Sequence, residues 1–230
     1  MIYSGRKIVF IPGDAIRVTQ PAAAAIIPWY LSGGIAAVNC MAAYQPKGAA
    51  DYAGSKVNLA NPGTYNAVNG AAYPTWDVTD GWIFAKASKQ FLTTGYTLTS
   101  TSTVLVRFSA AAEGAAFGNY NYTSGGGFAA FPKVGVSQLY FCPGTITKAE
   151  KTSGNLCIAG NEGFRDGVSD GTGGTSWPTL RTCFIGANSN QSDSVVDGNC
   201  LTGKIQALAI YDTVLTLTQI GLLVTAMAAL

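Results

Sequence analysis

The sequence predicts an all-β protein, organised as a β-sandwich with a short C-terminal helix and an N-terminal arm. Several short strand-like runs are separated by Gly, Asn and Pro, which is typical of a sandwich rather than of alternating strands and helices. A single amphipathic segment at the C-terminus has helical spacing. Hydrophobic residues make up 48% of the 230 residues and charged residues only 11%, so a disordered tail is not expected.

Residues 1–28 differ from the rest and are predicted to form the N-terminal arm. The runs 7–11 and 16–19 resemble short strands joined by a turn, and an alanine-rich spacer follows them up to residue 28. The alternative is an extra edge hairpin on the main domain. The predicted organisation is an arm over 1–28, for docking or oligomerisation, and a sandwich over 29–230.

The clearest strand is predicted over residues 102–108, which alternate between two faces. One face carries Val104, Val106 and Phe108, and the other carries Thr103, Leu105 and Arg107. Further strands are predicted over 134–142, 156–159, 183–185 and 205–211, and the core is predicted to include Trp76, Trp82 and Phe84.

Two Gly- and Ala-rich segments are predicted as loops between strands. They span 109–131 and 166–178. Neither fits a phosphate-binding loop, because no Gly-Lys-Ser/Thr sequence opens a helix there.

The helix is predicted to begin at Thr216, which forms a capping box with Gln219. Apolar residues then recur at helical spacing, at positions 220, 223, 227 and 230, so the helix is expected to pack on the sandwich. The longest apolar runs, such as 22–27, fall far short of the roughly 20 residues that a membrane span needs. We therefore expect no membrane span.

The composition excludes several classes of function. The chain has no His, which most serine and cysteine hydrolases use as a base and most catalytic zinc sites use as a ligand. A net charge of +2 without a basic cluster does not supply the phosphate contacts of nucleic-acid binding.

The five cysteines are Cys40, Cys142, Cys157, Cys183 and Cys200. None form a Cys-x-x-Cys motif, so a zinc ribbon or a thioredoxin-type redox site is not expected. Two alternatives remain open. The first is two disulfides between cysteines that neighbour each other in sequence, with one free thiol; the second is five small buried apolar side chains.

Several segments occur in an order that points to a known fold. They are a closing strand and helix start (203–211 and 215–219), a hairpin ending in Asp-Gly (161–167), a late strand (184–186) and an early pair (81–84 and 91–92). Together they resemble the concanavalin A-like lectin/glucanase superfamily, in its laminin-G-like branch. The stretch from 42–48 through 58–63 is similar to a form common in proteins of tailed phages. The resemblance covers about 38–230 and implies a jelly-roll sandwich.

The superfamily contains glycan-cleaving enzymes, lectins and adhesive modules. Its glucanases carry their two carboxylates in a Glu-x-Asp-x-(x)-Glu strand. Here Glu113, Glu150 and Glu162 are followed two residues later by Ala, Thr and Phe, so the motif is absent. We expect no enzyme, no catalytic residue and no cofactor.

Acidic pairs in Gly- and Asn-rich segments are predicted to shape turns. They are Asp77/Asp80, Asp166/Asp170 and Asp193/Asp197. Some relatives bind calcium through loop carboxylates, and Asp193, Asp197 and Asn199 offer oxygen ligands of that kind. A turn is the preferred interpretation, and no metal site is predicted.

Sugar binding requires an exposed aromatic face with amides or carboxylates around it. The glycan-binding candidates are Asn119, Tyr120, Asn121, Tyr122 and Trp177, all within predicted loops, where binding residues tend to occur. The alternative is that the aromatic rings pack down and hold their loops in place.

The sequence thus predicts a non-enzymatic surface protein of a tailed-phage virion, either a head decoration or a tail-fibre component, that binds cell-surface glycans outside the cell. The arm would contact other virion subunits, and the chain is expected to form homo-oligomers. The first alternative is a purely structural, self-assembling subunit that binds no sugar. A divergent hydrolase that uses the aspartates is a further one.

Overall fold

Two antiparallel β-sheets pack face to face in the computed structural model, with the main hydrophobic core between them. The structure describes residues 27–121, 126–135, 138–142, 146–174, 181–189 and 194–230. The predicted β-sandwich is therefore confirmed.

In chain order the described strands are β1 (Cys40–Tyr44), β2 (Val68–Asn69), β3 (Thr75–Asp77), β4 (Gly81–Phe84), β5 (Leu92–Thr97), β6 (Thr103–Glu113), β7 (Phe117–Asn121), β8 (Gly126–Val134), β9 (Gln138–Cys142), β10 (Ile146–Ala149), β11 (Gly154–Ala159), β12 (Glu162–Arg165), β13 (Val168–Thr172), β14 (Thr182–Ile185) and β15 (Thr202–Tyr211). The helices are α1 (Tyr52–Ser55) and α2 (Leu217–Ala228).

The larger sheet has the order β13-β12-β11-β6-β15-β4-β3, and β1 pairs with the far half of β15. The smaller sheet has the order β10-β9-β8-β7-β14-β5-β2. Consequently β3 and β2 are edge strands of the two sheets, and both belong to the connection between β1 and β5.

The alternation predicted for residues 102–108 is confirmed in β6, the strand between β11 and β15. Val104, Val106 and Phe108 lie in the core between the sheets, whereas Leu105 lies in a second cluster on the outer face of the larger sheet. Arg107 also faces outward, where its Nε donates to Gln206 Oε1 at 2.9 Å. Successive side chains of a strand point to opposite faces of the sheet, so β6 contributes to both apolar clusters. The larger sheet is therefore covered on both faces.

Helix α2 covers that outer face. The Thr216 side chain accepts from the Gln219 backbone N–H in the predicted capping box, and Ile220, Leu223 and Met227 are buried against the sheet. The packing prediction for this helix is confirmed. Among the described residues, no helix combines the length and apolar character needed to cross a membrane.

The predicted loop over 109–131 is wrong, because β6 extends to Glu113 and β7 and β8 form a hairpin. Glycine serves close strand packing here: a Cβ on Gly118 would lie 2.3 Å from Cβ of Ala129 on the paired strand. The predicted loop over 166–178 likewise contains strand β13.

The predicted strand over 134–142 is interrupted by a turn. Strand β8 ends at Val134, Gly135 adopts a φ of 58°, and β9 begins at Gln138. An alternating run does not by itself reveal where one strand ends and the next begins.

Three cysteines, Cys40, Cys157 and Cys183, are buried free thiols, and Cys200 is also buried. Because three of the five cysteines are free thiols, at most one disulfide could form, so the alternative with two disulfides is wrong. Burial raises the pKa of Cys40 and of Cys183 to about 12, so both stay protonated and serve as small packing residues. The side chain of Cys142 lies outside the described residues.

The predicted arm lies outside the described residues up to position 26. The described chain begins beside α2, where a 3₁₀ turn over Trp29–Leu31 packs on the outer-face cluster. The Tyr211 hydroxyl donates to the Tyr30 carbonyl at 2.8 Å and fixes this turn to β15.

Candidate functional site

One side of the sandwich is closed by residues 45–76, here called the edge segment. It runs from the end of β1 through α1 to β2, the edge strand of the smaller sheet, and on to β3, the edge strand of the larger sheet. The segment therefore spans the gap between the two sheets and forms a surface that neither sheet provides alone.

Asn58 fixes the middle of the edge segment to β1. Its Oδ1 accepts from the N–H groups of Ala43, at 2.9 Å, and Ala60, at 3.0 Å. Its Nδ2 donates to the carbonyls of Met41, at 2.9 Å, and Thr64, at 2.8 Å. Asn58 is fully buried, and these four bonds satisfy its amide completely.

Two tryptophans add further fixed points, one at helix α1 and one that joins the two ends of the segment. The indole N–H of the buried Trp82, on β4, donates to Ser55 Oγ at 2.8 Å, and that hydroxyl donates to the Tyr52 carbonyl at 2.7 Å. The indole N–H of Trp76, on β3, donates to the Pro46 carbonyl at 2.7 Å. Helix α1 is thereby tied to the core.

Helix α1 determines which side chains face outward together. It begins at Asp51, whose side chain accepts from the Gly54 N–H at 2.6 Å as an N-cap. Tyr52 and Lys56 are four residues apart and therefore lie on the same face of the turn.

The edge segment carries a partly exposed aromatic and polar cluster, here called the edge platform, of Tyr52, Lys56, Asn69 and Tyr73. The rings of Tyr52 and Tyr73 are stacked, with centroids 6.0 Å apart and an interplanar angle of 27°. Tyr73 is 53% exposed. Lys56 Nζ lies 4.4 Å from the centroid of the Tyr52 ring, within the range of a cation–π contact.

Asn69 connects the platform through its side-chain oxygen. Its Oδ1 accepts from the Tyr52 hydroxyl at 2.8 Å and from Lys56 Nζ at 3.1 Å. Because an ammonium only donates, the amide oxygen must face Lys56, and the Nδ2 group points away. Within the described residues Nδ2 has no hydrogen-bond acceptor, so it is available as a donor.

The Tyr52 phenol remains protonated at neutral pH. Burial and, to a smaller extent, the neighbouring Tyr73 phenol together raise its pKa to about 12. Tyr52 therefore acts as a permanent donor to Asn69 and fixes the orientation of the amide.

A shallow depression of about 300 Å³ lies on the other side of α1. Small residues and backbone form most of its wall; the lining residues are Gln45, Gly48, Ala49, Ala50, Gly54 and Leu59. The α1 turn thus has the platform on one side and an open concave surface on the other.

This arrangement suits a ring-shaped polar ligand. An exposed tyrosine face packs against the C–H face of a sugar ring, while nearby N–H donors bind its oxygens. The scaffold beneath is held by buried and partly buried hydrogen bonds, so this surface is fixed by the fold itself.

The predicted glycan-binding residues have a different location. Asn119 lies in β7 and is only 4% exposed; its Nδ2 donates to the Arg181 carbonyl at 2.8 Å and its Oδ1 accepts from the Phe128 N–H at 3.1 Å. Its expected position on an exposed loop is therefore wrong, because the pairing of β7 with β8 turns it inward. Tyr120 and Asn121 belong to β7, but their side chains lie outside the described residues.

Tyr122 and Trp177 lie entirely outside the described residues. Their predicted role stays a prediction, as does the alternative in which they pack against their own loops.

The turn interpretation is confirmed for two of the aspartates. Asp77 Oδ1 accepts from the Thr79 N–H at 2.8 Å and from the Asp80 N–H at 3.1 Å. Asp166 adopts a φ of 47° at the turn between β12 and β13.

Burial alone would raise the pKa of Asp166. The hydrogen bonds from Lys151 and Asn155 outweigh burial and hold that pKa below its ordinary value. Asp166 is therefore an ionised partner in a salt bridge, with its Oδ2 2.6 Å from Lys151 Nζ.

The remaining calcium candidates are only partly described. Asp193 and the side chain of Asp197 lie outside the described residues, and the Asn199 carbonyl accepts from the Ala115 N–H at 2.9 Å. The described part of the chain holds no group of three or more His, Cys, Asp or Glu side chains placed for a metal ion.

Sequence reasoning missed the edge platform. Its members are spread over residues 52–73 and outside any alternating run, so only the fold brings them together. The available signal was the number of tyrosines and asparagines in this connection.

Comparison with known proteins identifies the fold of the chain but does not assign it to a family. No protein-family model matches the sequence, and no curated protein matches it. Among solved structures, the chain is similar to the binding domain of botulinum neurotoxin DC in complex with rat synaptotagmin II, with a TM-score of 0.54, 8% identity, and coverage of 84% of this chain and 52% of that one.

Two related structures match equally well. The serotype D/C binding domain gives a TM-score of 0.53 at 11% identity, covering 83% of this chain and 53% of that one. A type C neurotoxin, described as dependent on two ganglioside molecules for cell entry, gives 0.53 at 10% identity, covering 83% and 52%. The chain spans about half the length of these structures, and identities this low show a shared β-sandwich fold.

Proposed function

We propose that this protein is a non-enzymatic glycan-binding protein displayed on the virion surface of a tailed phage, and that the edge platform binds the sugar. The observation that carries the proposal is the half-exposed ring of Tyr73, stacked on Tyr52 beside the outward Nδ2 donor of Asn69. This group supplies the apolar face and the directed polar contact that a sugar ring needs.

The rigidity of the scaffold supports this role. Asn58 and Trp82 fix the inner part of the edge segment, and Trp76 joins its two ends, through buried or partly buried hydrogen bonds. A ligand that binds a preformed surface does not have to order a loop, which otherwise lowers its affinity.

The fold gives independent support. Botulinum neurotoxin binding domains share this β-sandwich, and the type C neurotoxin is described as dependent on ganglioside molecules, which carry sugars. A sandwich of this kind is thus a scaffold on which glycan sites occur, although the fold does not select the ligand.

Display on a virion is supported by the sequence. The stretch 42–63, which resembles proteins of tailed phages, includes Tyr52 and Lys56 of the platform. Low charge suits a subunit packed among others, and the arm over 1–28 would dock onto neighbouring virion subunits or join copies into a homo-oligomer. Cryo-electron microscopy of particles tests this part, and absence of the protein from virions would contradict it.

Tyr73→Ala tests the site. On a glycan array and in calorimetry, we expect wild-type protein to bind at least one glycan and the variant to bind it at least 10-fold more weakly, because the ring face is lost. Val78→Ala, which truncates another exposed side chain outside the platform, is the matched control and should bind normally.

Two results would contradict the proposal. Wild-type protein that binds no glycan would favour the structural, self-assembling subunit. Release of reducing sugar from a bound polysaccharide would contradict the non-enzymatic role.

A further inference from the structure

The polar groups that the edge platform presents are mainly hydrogen-bond donors. Asn69 Oδ1, the amide acceptor in the cluster, is already occupied by the Tyr52 hydroxyl and by Lys56 Nζ. Asn69 Nδ2 and the remaining N–H groups of the Lys56 ammonium are left for a ligand. A surface of donors around an aromatic face favours a ligand that brings acceptors.

Lys56 also brings a charge that no neighbouring carboxylate balances. Within the described residues it forms no ion pair, whereas five other basic side chains do: Lys86 with Glu113, Lys133 with Glu150, Lys151 with Asp166, Arg165 with Asp170 and Lys204 with Asp80. Among the described residues Lys47 and Lys148 form no ion pair either, so Lys56 differs from them by its position within the edge platform.

The position of the ammonium is fixed. Lys56 Nζ is held between the Tyr52 ring, 4.4 Å from its centroid, and Asn69 Oδ1, at 3.1 Å. Neither contact neutralises the charge, because one partner is a ring face and the other a neutral amide. A lysine that is already restrained loses less side-chain entropy when a ligand binds.

We propose that the edge platform selects anionic glycans, with Lys56 as the residue that determines the preference. A sugar that bears a carboxylate or a sulfate ester would place its ring against Tyr73 and its anionic oxygens against Lys56 Nζ and Asn69 Nδ2. Such charge-assisted hydrogen bonds are stronger than those to neutral hydroxyls. This inference rests on the proposed glycan binding and specifies the ligand class.

The test compares each charged glycan with a neutral partner on the same sugar. Uronic acid oligosaccharides are printed beside their methyl esters, and sulfated oligosaccharides beside the unsulfated sugars. We expect the full chain to bind a charged member at least 10-fold more tightly than its partner at 50 mM NaCl. The ratio should fall severalfold at 500 mM NaCl, because salt screens an exposed charge. The two sets separate carboxylate from sulfate recognition.

Three variants assign the preference. Lys56→Gln should bring the affinities for the charged and the neutral member to within about twofold of each other, while Lys56→Arg should retain the preference for the charged member. Lys47→Gln removes an equal charge from the same edge segment, outside the platform, and should leave the ratio unchanged. Thermal unfolding of each variant confirms that the fold is intact.

The outcomes separate the two proposals. Equal binding of the charged and the neutral member in both sets would overturn the anion preference and leave glycan binding in place. A preference that Lys47→Gln reduces as much as Lys56→Gln would overturn the role of Lys56. Binding of no glycan at all would overturn the proposed function.

Discussion

Asn119 in β7 and Asn69 in the edge platform both combine an amide with nearby tyrosines, and the fold uses them in opposite ways. Asn119 is almost fully buried, and both its amide atoms bond to backbone groups across the smaller sheet. Asn69 lies at the edge of the smaller sheet, where its Oδ1 accepts hydrogen bonds from two side chains and its Nδ2 remains available as a donor. One amide therefore holds strands together, and the other organises an exposed surface.

The difference arises from the neighbouring backbone. Around Asn119, paired strands alternate strictly, so a side chain directed inward has no route to a ligand. Asn69 ends the two-residue strand β2, beyond which the chain leaves the sheet. The residue type indicates that an asparagine can bind a sugar. The direction of its side chain relative to the sheet decides whether the amide is accessible to solvent.

Gly118→Ala should give the largest effect, because it tests how tightly the β7 region is packed. A Cβ at this position would lie 2.3 Å from Cβ of Ala129 and 2.6 Å from the Phe128 carbonyl oxygen, so the strands must separate. We expect a loss of about 3 kcal/mol in the free energy of unfolding, measured by urea denaturation. Gly171→Ala, at an edge position with no atom within 4 Å of the new Cβ, is the control for backbone strain. Equal losses in both variants would refute tight packing as the cause.

Asn119→Ala should come next. Removing the amide leaves the Arg181 carbonyl and the Phe128 N–H without their partner in a buried site, which costs about 2 kcal/mol of stability. Glycan affinity of the protein that remains folded should stay within twofold of wild type. A large loss of affinity with unchanged stability would show that Asn119 is a binding residue after all.

The sequence predicted those parts of the fold whose signal is local. Alternation in β6 and the capping box at Thr216 each report a backbone pattern within a few residues, and both predictions are confirmed. The strands β7 and β8 were missed because Gly and Ala, which usually mark loops, here allow close approach of paired strands.

The candidate site was not predicted because it depends on contacts distant in sequence. The contact between Tyr52 and Asn69 depends on Asn58, which fixes the edge segment to β1, and on Trp82, which holds α1. No periodicity within the segment encodes those contacts. The exposed tyrosine face is consequently a property of the closed sandwich edge rather than of any local motif.

Asn69→Ala should have the smallest effect on stability and the most specific effect on binding. Its hydrogen bonds are to partly exposed side chains, so we expect the free energy of unfolding to change by about 0.5 kcal/mol or less. Glycan affinity in calorimetry should nevertheless fall about 10-fold, which corresponds to about 1.4 kcal/mol, because the variant loses the Nδ2 donor and releases Tyr52 and Lys56 from their fixed positions.

Asn61→Ala is the matched control, since it removes an exposed amide from the same edge segment outside the platform. If Asn69→Ala and Asn61→Ala reduced affinity equally, the amide of Asn69 would have no special role, and the contrast between the two asparagines would be limited to burial. If Asn69→Ala alone reduces affinity, the amide of Asn69 contributes to binding. Because it contributes almost nothing to the stability of the fold, binding is then the physical role that explains its position.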